Sequence, residues 1–558
     1  LVEAAAHAFV AVEGLGGIGP ARAGAGAADF PVASALLARA VRPKVLGFYR
    51  FVRTADDIAD SPDLPAAEKL ARLDALERAL DDPATAEPAA RPLHDSGCGT
   101  AEARAMLAAF RQDATQGRYA DWAGLEAYCA ASANPVGRML LRLHGAAAPG
   151  AEAAADALCT ALQVLNHIQD LARDREALDR IYLPGPWMAL AGGEEAFFAP
   201  ENAERRRAVL DAALDRVEER LDAAACLPRL IGARRLAMEA AVTLALARRL
   251  LARLRAEDPV RQRVALGRAD FARAFLAAPF GGPSDAALVR ARVARAGSSF
   301  ARGMAALRGD RRRALWAVYA FCRAVDDIAD GAMPETEKRR FLDDWRAKLA
   351  RPDCALSREL ARARERYGLP IAECEAMIAG METDAAPAVR IPDAAALDLY
   401  CRRVAGSVGA MAVRIFGAPE AAPFGLALGR TLQLVNILRD MDEDAARDRV
   451  YLPADLLAAH GVPEGPAARI IAAPGIAAAA RALAAEAEAG FARAEAELRH
   501  LDTRALLPAR IMMWGYRRLF DRLLARGFGA PRARPRLTAG EKARMAAFAL
   551  RLAPVAAR

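Results

Sequence analysis

Eight aspartates stand in four Asp-x-x-x-Asp pairs: Asp56 with Asp60, Asp170 with Asp174, Asp326 with Asp330, and Asp440 with Asp444. On a helix, positions i and i+4 project from one face, about 5–6 Å apart. Each pair has polar companions on its own stripe. At roughly 100° per residue, Tyr319, Arg323, Asp326 and Asp330 fall within about 60° of one another, and Gln433, Asn436, Asp440 and Asp444 within about 80°. Tyr49, Arg53, Asp56 and Asp60 repeat the first stripe, and Gln163, Asn166, Asp170 and Asp174 repeat the second. The surrounding sequence is apolar, and a buried carboxylate is costly unless it is paired or bound to a cation. Two such pairs facing each other make a site for hard cations. Mg²⁺ commonly takes one or two carboxylates plus substrate phosphates and keeps waters besides. Bound to a diphosphate, it would offset the charge that builds on the leaving group as an allylic C–O bond breaks. Arg53 and Arg323 add a fixed donor fork for phosphate. One such pair alone is more often a solvated face held by i,i+4 salt bridges. Four pairs with matching Tyr, Arg, Gln and Asn neighbours exceed what that reading explains.

The elements that must position these residues occur twice. Asp56-Asp57-Ile58-Ala59-Asp60 returns in the second half of the chain as Asp326-Asp327-Ile328-Ala329-Asp330. Leu162-Gln163 through Asp170 returns as Leu432-Gln433 through Asp440, at the same offset. Tyr128-Cys129 and Tyr400-Cys401 agree with that offset to within two residues. A period that takes up nearly half the chain is a duplicated domain; solenoid repeats run to roughly 20–50 residues. The join falls near Pro279-Phe280-Gly281-Gly282-Pro283-Ser284, where Gly and Pro cluster. The expected organisation is an Ala/Gly-rich segment over 1–27, a first domain over 28–280 and a second over 285–558. Ala208 to Leu221 and Ala240 to Leu254 read as amphipathic helices. Thr538 and Glu541 form a capping box that opens a final helix.

Composition narrows the class. Of 558 residues, 54% are hydrophobic, and Ala, Leu, Arg and Glu dominate. These are strong helix formers, and Val-Ile-Thr-rich alternating runs are nearly absent, so an all-α fold is expected. Net charge is +8, with Arg far outnumbering Lys. That bias fits GC-rich coding, or affinity for anionic ligands or membrane surfaces. No basic tail or Arg-aromatic stripe points to nucleic acid. The eight cysteines form no C-x-x-C, so zinc and redox motifs are unsupported. Cys159, Cys226 and Cys322 are expected to be buried thiols in a reducing cytosol. There is no apolar run of ~18 residues to span a membrane, and the opening sequence does not read as a secretory signal. Gly14-Leu15-Gly16-Gly17-Ile18-Gly19 fits the dinucleotide G-x-G-x-x-G pattern, but Pro20 and an Ala/Gly-rich stretch follow it, where a strand–turn–helix is needed. Neither nicotinamide nor flavin is expected.

Both halves resemble the squalene/phytoene synthase family from about Phe30 onward. The motifs are D-D-I-A-D after Y-x-x-x-R, L-Q-x-x-N-x-x-x-D-x-x-x-D, and a trailing R-[IV]-Y-L-P at Arg180 and Arg449. The resemblance implies two tandem isoprenoid synthase helical bundles, each around a central active-site cavity. It assigns Mg²⁺ to the eight Asp, and diphosphate to Arg53, Gln163, Asn166, Ser298, Ser299, Arg323, Gln433 and Asn436. Tyr49, Tyr128, Asn134, Tyr319 and Tyr400 take catalytic positions near the developing cation. The second half is similar to bacterial presqualene diphosphate synthases through Ala296-Gly297-Ser298-Ser299-Phe300, Val404-Ala405-Gly406-Ser407-Val408-Gly409 and Asn436-Ile437-Leu438-Arg439-Asp440. The first is similar to hydroxysqualene synthases through Phe30-Pro31-Val32-Ala33-Ser34 and Ser132-Ala133-Asn134-Pro135-Val136-Gly137. It departs from the second at Ala28-Asp29, which stand where that half has Ser298-Ser299, and Asp174 to Tyr182 is one residue longer than Asp444 to Tyr451.

The implied activity is bifunctional. Two farnesyl diphosphates become presqualene diphosphate in the second domain, which becomes hydroxysqualene in the first, on a squalene/hopanoid route. The implied downstream partner is a separate flavin-dependent hydroxysqualene reductase. The alternatives are a phytoene or dehydrosqualene synthase, and a synthase-fold scaffold with one inactive domain. A cytoplasmic protein with at most peripheral inner-membrane contact is expected.

Overall fold

The computed structural model describes residues 39–145, 148–278, 282–296 and 306–550. Ser298, Ser299, the Gly14–Gly19 stretch and the Ala28–Ser34 region lie outside the described residues. The chain divides into two units, one ending at Ser284 and including Gly331–Pro334, the other made of Asp285–Asp330 and Glu335 onward. Each is built almost wholly of α-helix.

In the first unit, α1 spans Arg42–Asp60. Pro43 suits its first turn, where the missing N–H costs nothing. Its buried face is Phe48, Phe51, Val52, Ala55 and Ala59, a three-to-four-residue spacing that leaves Tyr49, Arg53, Asp56 and Asp60 on an adjoining stripe. Then follow α2 (Ala101–Asp113), α3 (Trp122–Ser132), α4 (Asn134–Leu143), α5 (Ala151–Gln169), α6 (Leu171–Leu178), α7 (Ala203–Ala224) and α8 (Arg234–Ala256). The two amphipathic runs read from sequence fall inside α7 and α8. Pro135 lacks an N–H and clashes with the preceding turn, so α3 and α4 are separate helices.

The second unit repeats this plan with α9 (Gly309–Asp330), α10 (Ile371–Asp384), α11 (Ala394–Cys401), α12 (Ser407–Phe416), α13 (Ala422–Ala445), α14 (Ile476–Glu497) and α15 (Leu507–Arg526). A π-turn over Arg402–Gly406 joins α11 to α12, where the first unit has its proline break. The capping box of Thr538 and Glu541 opens α16 (Ala539–Ala549). Leu434, Val435 and Leu438 of α13 pack with Leu483 and Phe491 of α14 and Phe520 of α15 in one core. Cys159 is buried, as expected. Cys226 and Cys322 are only half-buried, and Cys322 faces a cavity. No helix among the described residues is long and apolar enough to cross a membrane.

Two parallel strand pairs are the only sheet among the described residues. Arg118 of β1 (Arg118–Tyr119) lies opposite Ile181 of β2 (Ile181–Pro184), and Val389 of β3 (Val389–Arg390) opposite Arg449 of β4 (Arg449–Val450). Each pair anchors one trailing R-[IV]-Y-L-P segment. The preceding residue, Asp179 or Asp448, has positive φ of 49° or 55°. Asp is among the few residues that tolerate this conformation. Arg118 and Arg390 hold these turns through Asp179 and Asp448, at 2.7 and 2.6 Å.

Helices α12 and α13 touch backbone to backbone. A Cβ on Gly409 would lie 2.0 Å from the Gly425 carbonyl oxygen, and one on Gly429 2.4 Å from that of Ala405. Gly409→Ala must therefore push the helices apart, and the expected loss is about 1–3 kcal/mol or more. Urea unfolding checks this, and an unchanged midpoint would show that the contact yields freely.

Candidate active site

In the second unit, the acidic ends of α9 and α13 border a cavity of about 870 Å³. All nine described residues expected of this half line it: Tyr319, Arg323, Asp326, Asp330, Tyr400, Gln433, Asn436, Asp440 and Asp444. Both helices change character along their length. The cavity face of α9 runs from Leu315 to Asp330, and that of α13 from Phe424, Leu428 and Leu432 to Asp440 and Asp444. Val408, Ala412, Phe416 and Met512 extend the apolar wall. The volume lies toward the upper end of the roughly 300–1,000 Å³ common for ligand pockets.

Arg449 organises the acidic end. Its guanidinium donates to Asp330 at 2.7 Å, to the Asp384 carbonyl at 2.7 Å and to the Ala329 carbonyl at 3.2 Å. It thereby ties together the C-termini of α9 and α10, where a cation is favoured by the helix dipole. Arg447 takes the other oxygen of Asp330. Burial alone would raise the Asp330 carboxyl, but Arg449 and Arg447 outweigh it and hold it below the usual range. Asp440 is gripped by Arg439 at 2.6 Å and Arg534 at 3.0 Å. Asp444 has no such grip, and burial, reinforced by Asp440, pushes it up to about 7. Enclosure and the neighbouring Asp330 also raise Asp326, although Arg323 lies 2.9 Å away. Asn436 donates to Gln433 at 3.1 Å, and its own side-chain oxygen is buried without a partner.

Sequence reasoning missed Asp384. Tyr400 and Tyr451 donate to its two carboxylate oxygens at 2.9 and 2.6 Å and stack with ring centroids 4.9 Å apart. The Tyr400 hydroxyl is thus committed to a buried acid.

The first unit repeats the arrangement. Arg180 bonds Asp60 and donates to the carbonyls of Ala59 and Asp113 at 3.1 and 2.9 Å. Tyr128 and Tyr182 donate to Asp113 at 2.9 and 3.4 Å. Arg180 and Tyr182 therefore take the same partners as Arg449 and Tyr451 despite the extra residue. The helix breaks at Asp170, between α5 and α6, whereas α13 runs on through Asp444. Asp113 and Asp384 stand almost at the offset of the repeated motifs, so comparing the two copies would have found them. Burial raises Asp113 to about 7 and, reinforced by Asp60, Asp56 to about 6. One Asp56 oxygen is buried without a partner. Arg53 pairs with Asp57 at 3.0 Å, and Arg173 with Asp170 and Asp174 at 2.9 and 3.5 Å. Tyr49 and Asn166 are half-buried on α1 and α5. Asn134 is buried and accepts from Thr160 at 3.0 Å, which joins α4 to α5.

Among the described residues no three His, Cys, Asp or Glu side chains converge closely enough to hold a metal. Asp60, Asp170, Asp330 and Asp440 engage arginines instead. The chemistry of the carboxylates nevertheless fits Mg²⁺: the donors are all hard oxygens, and Asp56, Asp174, Asp326 and Asp444 carry raised pKa values that a cation would lower.

Glu239 on α8 is buried, and burial alone raises it to about 8. The folded chain keeps a proton that the unfolded chain releases above its ordinary value of 4.5. Stability therefore falls as pH rises between those values. Relative to wild type, Glu239→Gln should gain stability steadily across this window. Parallel wild-type and variant melting curves would contradict it.

Paired Asp-bearing helices around an apolar cavity define the isoprenoid synthase class. The chain belongs to the squalene/phytoene synthase family, whose model matches residues 24–270 and again 293–541. The presqualene diphosphate synthase of Rhodopseudomonas palustris is 41% identical over 255 residues, covering 44% of this chain and 90% of that protein. The hydroxysqualene synthase of Sinorhizobium fredii is 37% identical over 243 residues, covering 43% and 83%. The squalene synthase structure from Alicyclobacillus acidocaldarius aligns at 30% identity and a TM-score of 0.36, covering 40% of this chain and 86% of that one.

Proposed function

We propose that the chain is a bifunctional head-to-head prenyl transferase. The second unit condenses two farnesyl diphosphates to presqualene diphosphate, and the first converts that product to hydroxysqualene. The observation that carries the reading is the cavity whose apolar helix faces end in clustered carboxylates and arginines, together with relatives of both names. The division between the units rests on the contrast of Asn134-Pro135 with Gly406-Ser407.

Asp326, Asp330, Asp440 and Asp444 would hold Mg²⁺ in the second unit, and Asp56, Asp60, Asp170 and Asp174 in the first. Bound there, Mg²⁺ neutralises charge on the departing diphosphate. Arg323, Gln433 and Asn436 bind and orient the diphosphate oxygens, as do Arg53 and Asn166 in the first unit. The apolar wall from Leu315 to Phe416 holds the prenyl chains and excludes water from the allylic cation. Tyr319 and Tyr400 line the cavity, where their aromatic rings favour developing positive charge. Apolar substrates and a net charge of +8 suit peripheral contact with the inner membrane. Carbonate-resistant membrane retention would contradict it.

The test is incubation of the chain with farnesyl diphosphate and Mg²⁺, without a nicotinamide reductant, followed by product identification. Hydroxysqualene is expected, with presqualene diphosphate as a transient, and excess chelator should stop diphosphate release. Full release under chelation would sink the metal assignment. Hydrocarbon formed only from geranylgeranyl diphosphate would favour a phytoene synthase.

A further inference from the structure

The first unit buries polar groups where the second has hydrocarbon. Under the constant offset of the repeat, His167 occupies the position of Ile437, and Ile437 lines the second unit's cavity. The His167 ring stacks on Tyr182 at a centroid distance of 3.4 Å, and its Nε2 lies 3.0 Å from Gln163 Nε2. His167 Nδ1 and Gln163 Oε1 are both buried without a partner. Amide orientation and ring tautomer are interchangeable here. Either assignment leaves the pair one unpaired donor and one unpaired acceptor.

Glu239 is the second such group. On α15 the cavity face is Pro508, Ala509, Met512 and Tyr516. Matching the starts of α8 and α15 sets Glu239 against Met512 and Thr243 against Tyr516. Matching Arg248-Arg249 to Arg517-Arg518 instead moves the register by one helical turn and sets Glu239 against Pro508. Either register keeps Glu239 on the cavity stripe. Its side chain is buried, and Oε2 has no partner. Helix α8 packs along α5, which carries Gln163 and His167. An isolated buried acid and an under-bonded buried imidazole are costly where apolar residues serve the sister unit.

We propose that Gln163, His167 and Glu239 bind the water that captures the carbocation in the first unit, and so make its product an alcohol. The inference rests on the reading of the first unit as the one that acts on presqualene diphosphate. A water needs two to four polar partners in a buried site; Gln163 and His167, one helical turn apart on α5, carry two of the unpaired atoms, and α8, which packs along α5, carries the third on Glu239. In the capture step a water lone pair forms the C–O bond to the cationic carbon. One O–H bond of that water breaks and leaves its electrons on oxygen. The proton passes to a ring nitrogen of His167, which burial keeps neutral beforehand. The charge of the resulting imidazolium is balanced by the released diphosphate. In the second unit Gln433 keeps the amide of Gln163, but Ile437 and Met512 or Pro508, at the positions of His167 and Glu239, offer water no anchor.

The test supplies presqualene diphosphate and Mg²⁺ to the full chain and to His167→Ile, His167→Gln and Glu239→Met, in ¹⁸O-labelled water. It measures diphosphate release and the ratio of labelled alcohol to hydrocarbon. In His167→Ile the alcohol share should fall about tenfold or more, while diphosphate release falls less. Glu239→Met should shift the ratio the same way, and His167→Gln, which keeps a hydrogen-bonding side chain, should retain more alcohol than His167→Ile. An unchanged ratio in His167→Ile and Glu239→Met overturns the proposal. Equal loss of release and alcohol in all three folded variants also overturns it, because the groups would then serve ionisation. If wild type forms no alcohol from presqualene diphosphate, the functional reading of the first unit fails and this inference with it.

Discussion

Asp326→Ala should abolish consumption of farnesyl diphosphate while supplied presqualene diphosphate is still converted. Asp56→Ala should do the reverse: condensation continues and presqualene diphosphate accumulates. Each substitution removes one carboxylate from the cluster that, in the proposed function, receives the leaving diphosphate. Asp326 is the more telling choice in its pair. Asp330 is already committed to Arg449 and Arg447, whereas Asp326 has only Arg323 beside it and a carboxyl raised by enclosure. In the first unit Asp56 has a buried oxygen with no partner, while Asp60 is held by Arg180. The loss should fall mainly on turnover, by about 10²-fold or more, as for loss of a preorganised transition-state contact. Asp440→Ala and Asp170→Ala should follow Asp326→Ala and Asp56→Ala respectively. Product analysis on each substrate separately checks this. If Asp56→Ala blocks farnesyl diphosphate use and Asp326→Ala spares it, the assignment of the units is reversed. If either variant blocks both steps equally, the units are not independent catalysts.

Arg449→Met should cost the second unit about 3–5 kcal/mol, the usual effect of breaking a buried ion pair from one side. The Arg449 side chain is only 8% exposed, and it serves one carboxylate and two helix-terminal carbonyls. Its removal leaves Asp330 with the half-exposed Arg447 and leaves the ends of α9 and α10 without a common donor. Arg449→Lys should recover only part of the loss, because an ammonium cannot reproduce the planar fork. Arg180→Met should have the same effect in the first unit, where Arg180 is as deeply buried and bonds the matching groups. Urea unfolding followed with and without each substitution measures it. A midpoint for Arg449→Met within error of wild type would mean that the acidic end of the cavity is held by other contacts.

The duplication, the helical class and the Asp stripes were legible in the sequence because they are local. An i,i+4 spacing fixes which side chains share a helix face wherever that helix packs. Whole motifs returning at a constant offset need no structure to be seen. Asp113 and Asp384 were not legible from helix periodicity, because neither belongs to a periodic stripe; only their near-common offset marks them. Each matters only because the fold brings it to tyrosines 15 or 16 residues on in one helix and 69 or 67 residues on, in β2 or directly after β4. The roles of Arg180 and Arg449 were half visible as a motif, but their partners lie some 120 residues earlier in Ala59, Asp60, Ala329 and Asp330. The backbone contact of Gly409 with Gly425 likewise belongs to helix packing. Sequence by itself determined which polar residues share a helix face, through short-range helical geometry. Tertiary structure alone decided which carboxylates are neutralised by arginine and which stay available to a cation, because that depends on burial and on partners far along the chain.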